Sequence, residues 1–386
     1  MQDLMLRTAP GAVKRIDVVI GTRPEAIKMA PLILELRGRA YASVRIVATG
    51  QHSDMLIQAL KYFSLVPDIN LNIMKSRQSL DYITSSVLRG VGEILDDTPS
   101  DAVLVHGDTT TTLAAALAAF YRGIPVGHVE AGLRSFNMSL PFPEEMNRVL
   151  VDRIARWLFA PTARAMENLR AEGVTQESGR ISVTGNTVID ALHMTKKNVT
   201  GPSDPCLTPL EGGVPFILMT AHRRESWGKP LGRICQALLR ILERHKEYRA
   251  LIPMHKNPAV RDSIREVLGG NERIILCEPL DYPDFIWALD GCKIIISDSG
   301  GVQEEASALG KPVLVTRDVT ERPEALECGS AILVGAESER IANRADSLLS
   351  DEYEYGLIAD RSRSNPFGDG RASVRIADIL ARDLLV

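Results

Sequence analysis

Short runs rich in Val, Ile and Leu alternate with segments of helical length along this chain, and the alternation starts twice. The first series has strand-like runs at residues 16–20, 44–48, 102–106 and 125–129, with helical patterns such as 26–36 and 80–95 between them. The second has runs at 216–220, 249–254, 274–277, 293–297, 313–316 and 331–334, with helical patterns at 231–243 and 302–309. Near-continuous apolar strands joined by helical crossovers specify a parallel sheet covered on both faces. Between the two series, residues 196–215 carry Pro, Gly, Ser and Thr with little periodicity, which reads as a linker or surface loop. A length of 386 residues suits two domains. The expected class is therefore α/β, with two Rossmann-like doubly wound domains and a cleft between them. The boundaries fall at 1–185 and 186–370. A last helical pattern, within 371–386, could pack on either domain and is placed with the first.

Composition narrows the function. Hydrophobic residues are 45% and charged residues 24%, enough apolar material for two cores. The net charge of −4 gives no basic field for nucleic acid. The longest run of small apolar residues, 113–120, is far below the roughly 20 residues of a membrane span. Residues 1–15 lack the apolar core of a secretory signal. A cytoplasmic protein with no membrane partner is expected. The five cysteines (Cys206, Cys235, Cys277, Cys292 and Cys328) are odd in number and form no CxxC pair, so they read as buried reduced thiols. No His/Cys cluster suggests a metal.

In doubly wound sheets ligands bind beyond the carboxyl ends of the strands, so the residues just after each strand carry the function. The first strand runs into Gly21-Thr22-Arg23-Pro24-Glu25. Pro24 suits a helix's first turn, and Arg23 then stands at a helix N-terminus, where anions are favoured. An ordinary turn with a solvated arginine fits as well. This is not GxGxxG, so dinucleotide binding has no direct support. After 293–297 comes Asp298-Ser299-Gly300-Gly301, whose free backbone amides could hold a phosphate, with Glu305 a turn further on within reach of ribose hydroxyls. A plain N-cap would explain the same residues. His222 and His255 each follow a strand and sit beside cations. In the first half, Asp108, Glu130 and Glu144 follow strands or open a helix, with Asn147 and Arg148 after them. Any one could be a cap or a surface ion pair. Together they put carboxylates on the cleft side of one domain, opposite histidines and cations. That pattern suits acid–base chemistry beside a phosphate leaving group.

These strings, in order, resemble the non-hydrolysing UDP-N-acetylglucosamine 2-epimerases of bacterial type. The match runs through Gly21-Thr22-Arg23-Pro24-Glu25, Thr49-Gly50-Gln51-His52, His106-Gly107-Asp108-Thr109, His128-Val129-Glu130-Ala131-Gly132-Leu133-Arg134 and Pro143-Glu144-Glu145. It continues through His222-Arg223-Arg224-Glu225, Ser299-Gly300-Gly301-Val302-Gln303-Glu304-Glu305 and Thr320-Glu321-Arg322-Pro323-Glu324. Single strings are weak signals; the ordered set, from about residue 16 onward, is specific.

The resemblance implies a GT-B type fold that closes on its substrate, interconversion of UDP-GlcNAc and UDP-ManNAc, no cofactor, and a homodimer. It implies Asp108, Glu130, Glu144 and His222 as catalytic candidates. Arg23, His222, Ser299 and Gly300 would hold the diphosphate, with Gly301 and Arg322 beside them. Glu305 would take the ribose and Phe285 the uracil, while Lys28 and His255 are further polar candidates. A second UDP-GlcNAc would bind as activator at Gln51, His52, Arg77 and Gln78. Two departures stand out: Ser226 replaces an asparagine found in many members, and the variable span 135–140 would tune the sugar pocket.

Chemistry favours one route. The C2 proton of a pyranose N-acetyl sugar is not next to a carbonyl, so simple enolisation is unavailable. Without GxGxxG, elimination of UDP to a 2-acetamidoglucal and re-addition is preferred over oxidation at C3. The competing expectations are a glycosyltransferase on the same fold, a hydrolysing relative that releases ManNAc and UDP, an epimerase of a modified UDP-GlcNAc, and a non-catalytic sugar-nucleotide sensor.

Overall fold

The computed structural model describes residues 13–50, 53–75, 78–174, 180–221, 223, 227–361 and 365–385. The chain divides into two units, residues 1–191 with 367–386 and residues 192–366.

The first unit runs β1 (Lys14–Ile20), α1 (Arg23–Arg37), β2 (Ala42–Ala48), α2 (Ser53–Tyr62), β3 (Ile69–Asn70), α3 (Leu80–Asp97), β4 (Ala102–His106) and α4 (Thr110–Phe120). It continues with β5 (Val126–Val129), α5 (Glu144–Ile154), β6 (Trp157–Ala160), α6 (Ala163–Ala171), β7 (Ile181–Val183) and α7 (Thr187–Asn198), inside which the unit boundary falls. Among the described residues its sheet has the order β3-β2-β1-β4-β5-β6-β7, all parallel. Growth from β1 runs one way to β3 and then the other way from β4. The order therefore reverses between β1 and β4, where doubly wound sheets hold ligands. Every residue of β4 is buried, as a central strand covered on both faces requires. The Ala-rich α4 buries nine of its residues, and its small side chains let it lie close on the sheet.

The second unit runs β8 (Phe216–Thr220), α8 (Lys229–Arg244), β9 (Arg249–Pro253), α9 (Pro258–Leu268), β10 (Ile274–Cys277), α10 (Tyr282–Gly291), β11 (Ile294–Ser297) and α11 (Gly300–Ala308). Then come β12 (Val313–Val315), α12 (Pro323–Glu327), β13 (Ala331–Leu333), α13 (Ser338–Ser350) and α14 (Glu352–Arg361). Its parallel sheet has the order β10-β9-β8-β11-β12-β13, with the same reversal between β8 and β11. α8 buries Leu231, Ile234, Cys235, Leu238, Ile241 and Leu242, the spacing of a helix with one face on the core.

The last helix, α15 (Ala372–Leu384), belongs to the first unit. Asp190 accepts the amides of Ala372 (3.1 Å) and Ser373 (2.8 Å) at its start, Tyr41 donates to the Ala377 carbonyl (2.6 Å), and Trp157 Nε1 donates to Asp383 (2.8 Å). An acid at a helix N-terminus is favoured by the unpaired amides there. The segment 196–215 is less irregular than its composition suggests: α7 extends to Asn198, and Pro205–Gly213 forms tight 3-10 turns. Cys235, Cys277 and Cys292 are buried, whereas Cys206 and Cys328 are only half-buried; all five are free thiols.

Candidate active site

At the switch point of the first sheet, the turn after β1 and the turn after β4 are tied together by Glu25. Its Oε2 accepts the amides of Gly21 (2.6 Å) and Thr22 (2.7 Å), and its Oε1 accepts the hydroxyls of Thr109 (2.5 Å) and Thr112 (3.3 Å). Burial pushes the Glu25 carboxyl above its ordinary range, against the pull of the bonds from Thr109, Gly21 and Thr22. Arg23, half-buried, opens α1 beside this anchor.

One turn along α1, the buried Lys28 forms an ion pair with Oε1 of Glu130, which also accepts Nδ2 of Asn186 at 2.8 Å. Glu130 follows β5 with φ +68°, a left-handed backbone that costs a non-glycine residue about 1–2 kcal/mol. Strain of this kind persists where surrounding bonds hold it, and it marks functional sites. Here it turns the carboxylate to Lys28. His106, at the end of β4, places Nε2 3.9 Å from Glu130 Oε2. That nitrogen is buried and makes no hydrogen bond among the described residues. Burial pushes the His106 imidazole down to about 4, with the Glu130 carboxylate opposing and the Lys28 ammonium assisting, so it is neutral at pH 7.

Asp108 sits on the same turn. Its carboxylate accepts Arg148 Nη2 at 2.5 Å and its carbonyl accepts Asn147 Nδ2 at 2.8 Å. Both donors lie on α5, one turn after Glu144, the helix's first residue. Glu144 is half-buried, and its Oε2 is a buried oxygen with no hydrogen bond among the described residues. The structure thus brings Lys28, Asp108 and Glu130 to the carboxyl ends of adjacent strands, with Glu144 on the helix that clasps Asp108.

In the second unit the reversal between β8 and β11 carries the glycine turn. Ser299 caps α11, its hydroxyl accepting the Val302 amide (3.5 Å), while its own amide donates to Ser297 Oγ (3.0 Å). Gly300 lies against Arg322: a Cβ there would be 3.7 Å from the guanidinium carbon, while one at Gly301 would meet open space. Arg322 is tied to Glu304 through Nε. Nearby, burial raises the Glu321 carboxyl but is outweighed by its forked partner Arg317 (2.8 and 3.1 Å), which leaves it at about 2. Glu305 accepts the Tyr282 hydroxyl at 2.9 Å, and the half-buried Phe285 lies one turn along that tyrosine's helix, α10.

His255 is exposed after β9, and its Nδ1 accepts the amide of Asn257, the residue that caps α9. Gln78, beyond the strands' carboxyl ends, accepts the Lys75 amide at 3.5 Å just before α3. His222, Gln51, His52, Arg77 and Ser226 lie outside the described residues. Five residues around this switch point were not singled out from sequence for the part they play: Asn186, which bonds Glu130, His106 beside it, Glu25, which ties the two turns, and the pair His128 and Asp152 behind Gly107. Nor was Tyr282 of the second unit, which holds Glu305. Among the described residues, no group of three or more His, Cys, Asp or Glu could hold a metal ion, and no helix is long and apolar enough to cross a membrane.

Known proteins with this sequence pattern identify the lineage. A family model described as UDP-N-acetylglucosamine 2-epimerase matches residues 34–381. UDP-N-acetylglucosamine 2-epimerase of Escherichia coli K12 is 47% identical over 373 residues, covering 95% of this chain and 98% of that one. The crystal structure of UDP-GlcNAc 2-epimerase from Neisseria meningitidis bound to UDP-GlcNAc matches with a TM-score of 0.90 at 43% identity, covering 95% of this chain and all of that one (100%). The Methanocaldococcus jannaschii UDP-GlcNAc 2-epimerase in complex with UDP-GlcNAc and UDP matches at 0.81 and 34% identity, covering 95% and 99%. The two parallel α/β units are those of the GT-B fold class. The chain belongs to the UDP-N-acetylglucosamine 2-epimerase family.

Proposed function

We propose that this chain is an isomerase that interconverts UDP-GlcNAc and UDP-ManNAc at C2 without a cofactor. Its product would feed cell-surface polysaccharide synthesis. In the forward direction a carboxylate takes the C2 proton, the C1–O bond breaks, and UDP leaves with the bonding pair. The product of this step is 2-acetamidoglucal, with a C1–C2 double bond. Protonation of C2 from the opposite face and return of UDP to C1 complete the inversion. Proton transfer is assigned to the group Asp108, Glu130 and Glu144. Arg23, His222, Ser299, Gly300, Gly301 and Arg322 are assigned to the diphosphate, where fixed charge and amides favour the departing anion. Glu305 is assigned to the ribose and Phe285 to the uracil.

The observation that carries the reading is the switch point of the first sheet. There two carboxylates on adjacent strand ends are each held by a cation, Asp108 by Arg148 and Glu130 by Lys28. The pairs fix where each carboxylate points, and orientation is a large part of proton-transfer catalysis. A homodimer, a cytoplasmic location, and activation by a second UDP-GlcNAc at Gln51, His52, Arg77 and Gln78 belong to the same reading. The activator predicts a lag with UDP-ManNAc as sole substrate, abolished by trace UDP-GlcNAc.

Proton NMR of UDP-GlcNAc with the purified protein in deuterium oxide, without NAD or metal, tests the reaction. UDP-ManNAc with deuterium at C2 supports it. Free ManNAc and UDP would show a hydrolysing enzyme, and an unchanged spectrum would refute the assignment of substrate.

A further inference from the structure

We propose that His128 is a positioning residue: as a buried imidazolium it clamps the turn that carries Asp108 to the strand end that carries Glu130. The proposal rests on Asp108 and Glu130 as proton-transfer groups. His128 lies on β5 with its side chain fully buried. Its Nε2 is 2.7 Å from the Gly107 carbonyl, and its Nδ1 is 2.6 Å from Asp152 Oδ1. A carbonyl oxygen only accepts, so Nε2 must carry a proton. Asp152 is an ionised acceptor on geometry alone, because its Oδ2 already takes the Arg134 guanidinium at 2.7 Å and the Gly132 amide at 3.3 Å. Nδ1 must therefore donate as well, and an imidazole that donates from both nitrogens is an imidazolium.

The surroundings compensate that charge. Asp152 also accepts Arg134 Nη2 at 2.7 Å and the Gly132 amide at 3.3 Å. Arg134 forks onto Glu172 at 2.6 and 2.9 Å. The two buried cations, His128 and Arg134, thus meet two carboxylates, and the outer one, Glu172, reaches the surface where it also pairs with Arg153 at 3.9 Å; pairing of this kind is the condition under which buried charge persists.

The clamp acts on both carboxylates. Gly107, with φ +66°, is pinned to β5 twice: its amide donates to the Val129 carbonyl at 2.9 Å, and its carbonyl takes the His128 proton. Asp108 is the next residue, and Glu130 lies two residues beyond His128. Without the second donor the Gly107 carbonyl loses this partner, and the Asp108 turn keeps its backbone bond to β5, the donors of α5 and the Thr109 tie to Glu25, none of which reaches the Gly107 carbonyl. A misplacement of about 1 Å at a reacting group costs on the order of 100-fold in rate.

Three variants and one spectrum test this: H128Q and H128N carry donors on one nitrogen only and cannot serve Gly107 and Asp152 together, and D152N keeps the shape but removes the charge that calls for the second proton. The prediction is a kcat lowered about 100-fold with KM for UDP-GlcNAc unchanged, because His128 has no nucleotide to hold. A kcat equal to wild type in soluble H128N, whose short amide has no donor at the Nε2 position, overturns the proposal, as does a parallel loss of kcat and substrate binding. Should the variants not fold, the wild-type enzyme decides. With nitrogen-labelled histidine, and His128 picked out from the seven histidines by its contacts with Gly107 and Asp152, both ring nitrogens must bear protons; one bare nitrogen refutes the clamp. Wild-type turnover in deuterium oxide is scored separately. Its failure sinks the epimerase reading, while the ring spectrum still judges the clamp.

Discussion

Gly132 lies between Glu130 and the buried Arg134, and replacing it with alanine should be costly in a way that can be divided into parts. Its φ is +85°, and a Cβ built there would lie 2.3 Å from the Ala165 carbonyl oxygen and 2.9 Å from both the Ala165 carbonyl carbon and Leu169 Cγ. Ordinary contact begins at 3.4 Å, so the overlap with that oxygen is 1.1 Å (3.4 − 2.3). The left-handed backbone alone costs alanine about 1–2 kcal/mol. Relieving an overlap by moving backbone adds about 1–3 kcal/mol. Gly173 isolates the first part, because its φ is +83° and a Cβ there meets nothing within 4 Å. G173A should thus lose only about 1–2 kcal/mol, and G132A roughly 3 kcal/mol, which is a Tm drop of about 6–12 °C in a unit of this size. L169A should not rescue G132A, since the nearest atom belongs to the α6 backbone. Calorimetry and urea unfolding of the four proteins decide. Equal losses in G132A and G173A would refute the steric part, and a wild-type Tm in both would refute the whole argument.

Three further outcomes follow from the same geometry. The unfolded chain protonates His106 near its ordinary 6.5 and the folded one only near 4, so between those values the unfolded state binds the extra proton and stability falls as pH drops. At pH 5 that loss is about 2 kcal/mol (6.5 − 5, times ~1.4), and urea unfolding of H106Q should lack it; identical pH dependence in the two proteins would contradict the neutral imidazole. Y282F removes the hydroxyl that holds Glu305; KM should rise roughly three- to tenfold, the equivalent of one hydrogen bond, with kcat intact in steady-state assays. In G21A the new Cβ would lie 2.4 Å from Thr111 Oγ1, lifting the turn that presents Arg23; kcat/KM should fall on the order of 100-fold and recover in part in G21A/T111A.

The sheets were legible because β4, β8 and β11 are central strands that run apolar up to a single polar residue at the carboxyl end, and a buried parallel strand has no polar alternation to obscure it. β6 was not, because Trp157 follows α5 after only Ala155 and Arg156, with no glycine or proline to mark the change from helix to strand. β7 is three partly exposed residues and β3 only two, too short for a period to show. Missing β7 hid Asn186, which stands just beyond its carboxyl end and reaches Glu130. The strand-end rule put Arg23, Asp108, Glu130 and Ser299 just after strands, where the structure also has them, since it needs only the local run. It could not find the partners. Lys28 meets Glu130 across 102 residues, Arg148 meets Asp108 across 40, and Tyr282 meets Glu305 across 23. Such pairings are fixed by which strands neighbour each other, and that order is a tertiary fact.

The central claim is that the C1–O bond breaks and re-forms while C2 exchanges its proton. UDP-GlcNAc carrying a heavy-oxygen label in the bridge between C1 and the β-phosphorus tests it most directly. If UDP departs within the enzyme, its β-phosphate rotates before return, and the label spreads into the non-bridging positions of recovered UDP-GlcNAc and UDP-ManNAc. The account predicts that spread, without NAD, in step with deuterium entry at C2. Epimerised product with the label still wholly in the bridge would contradict it.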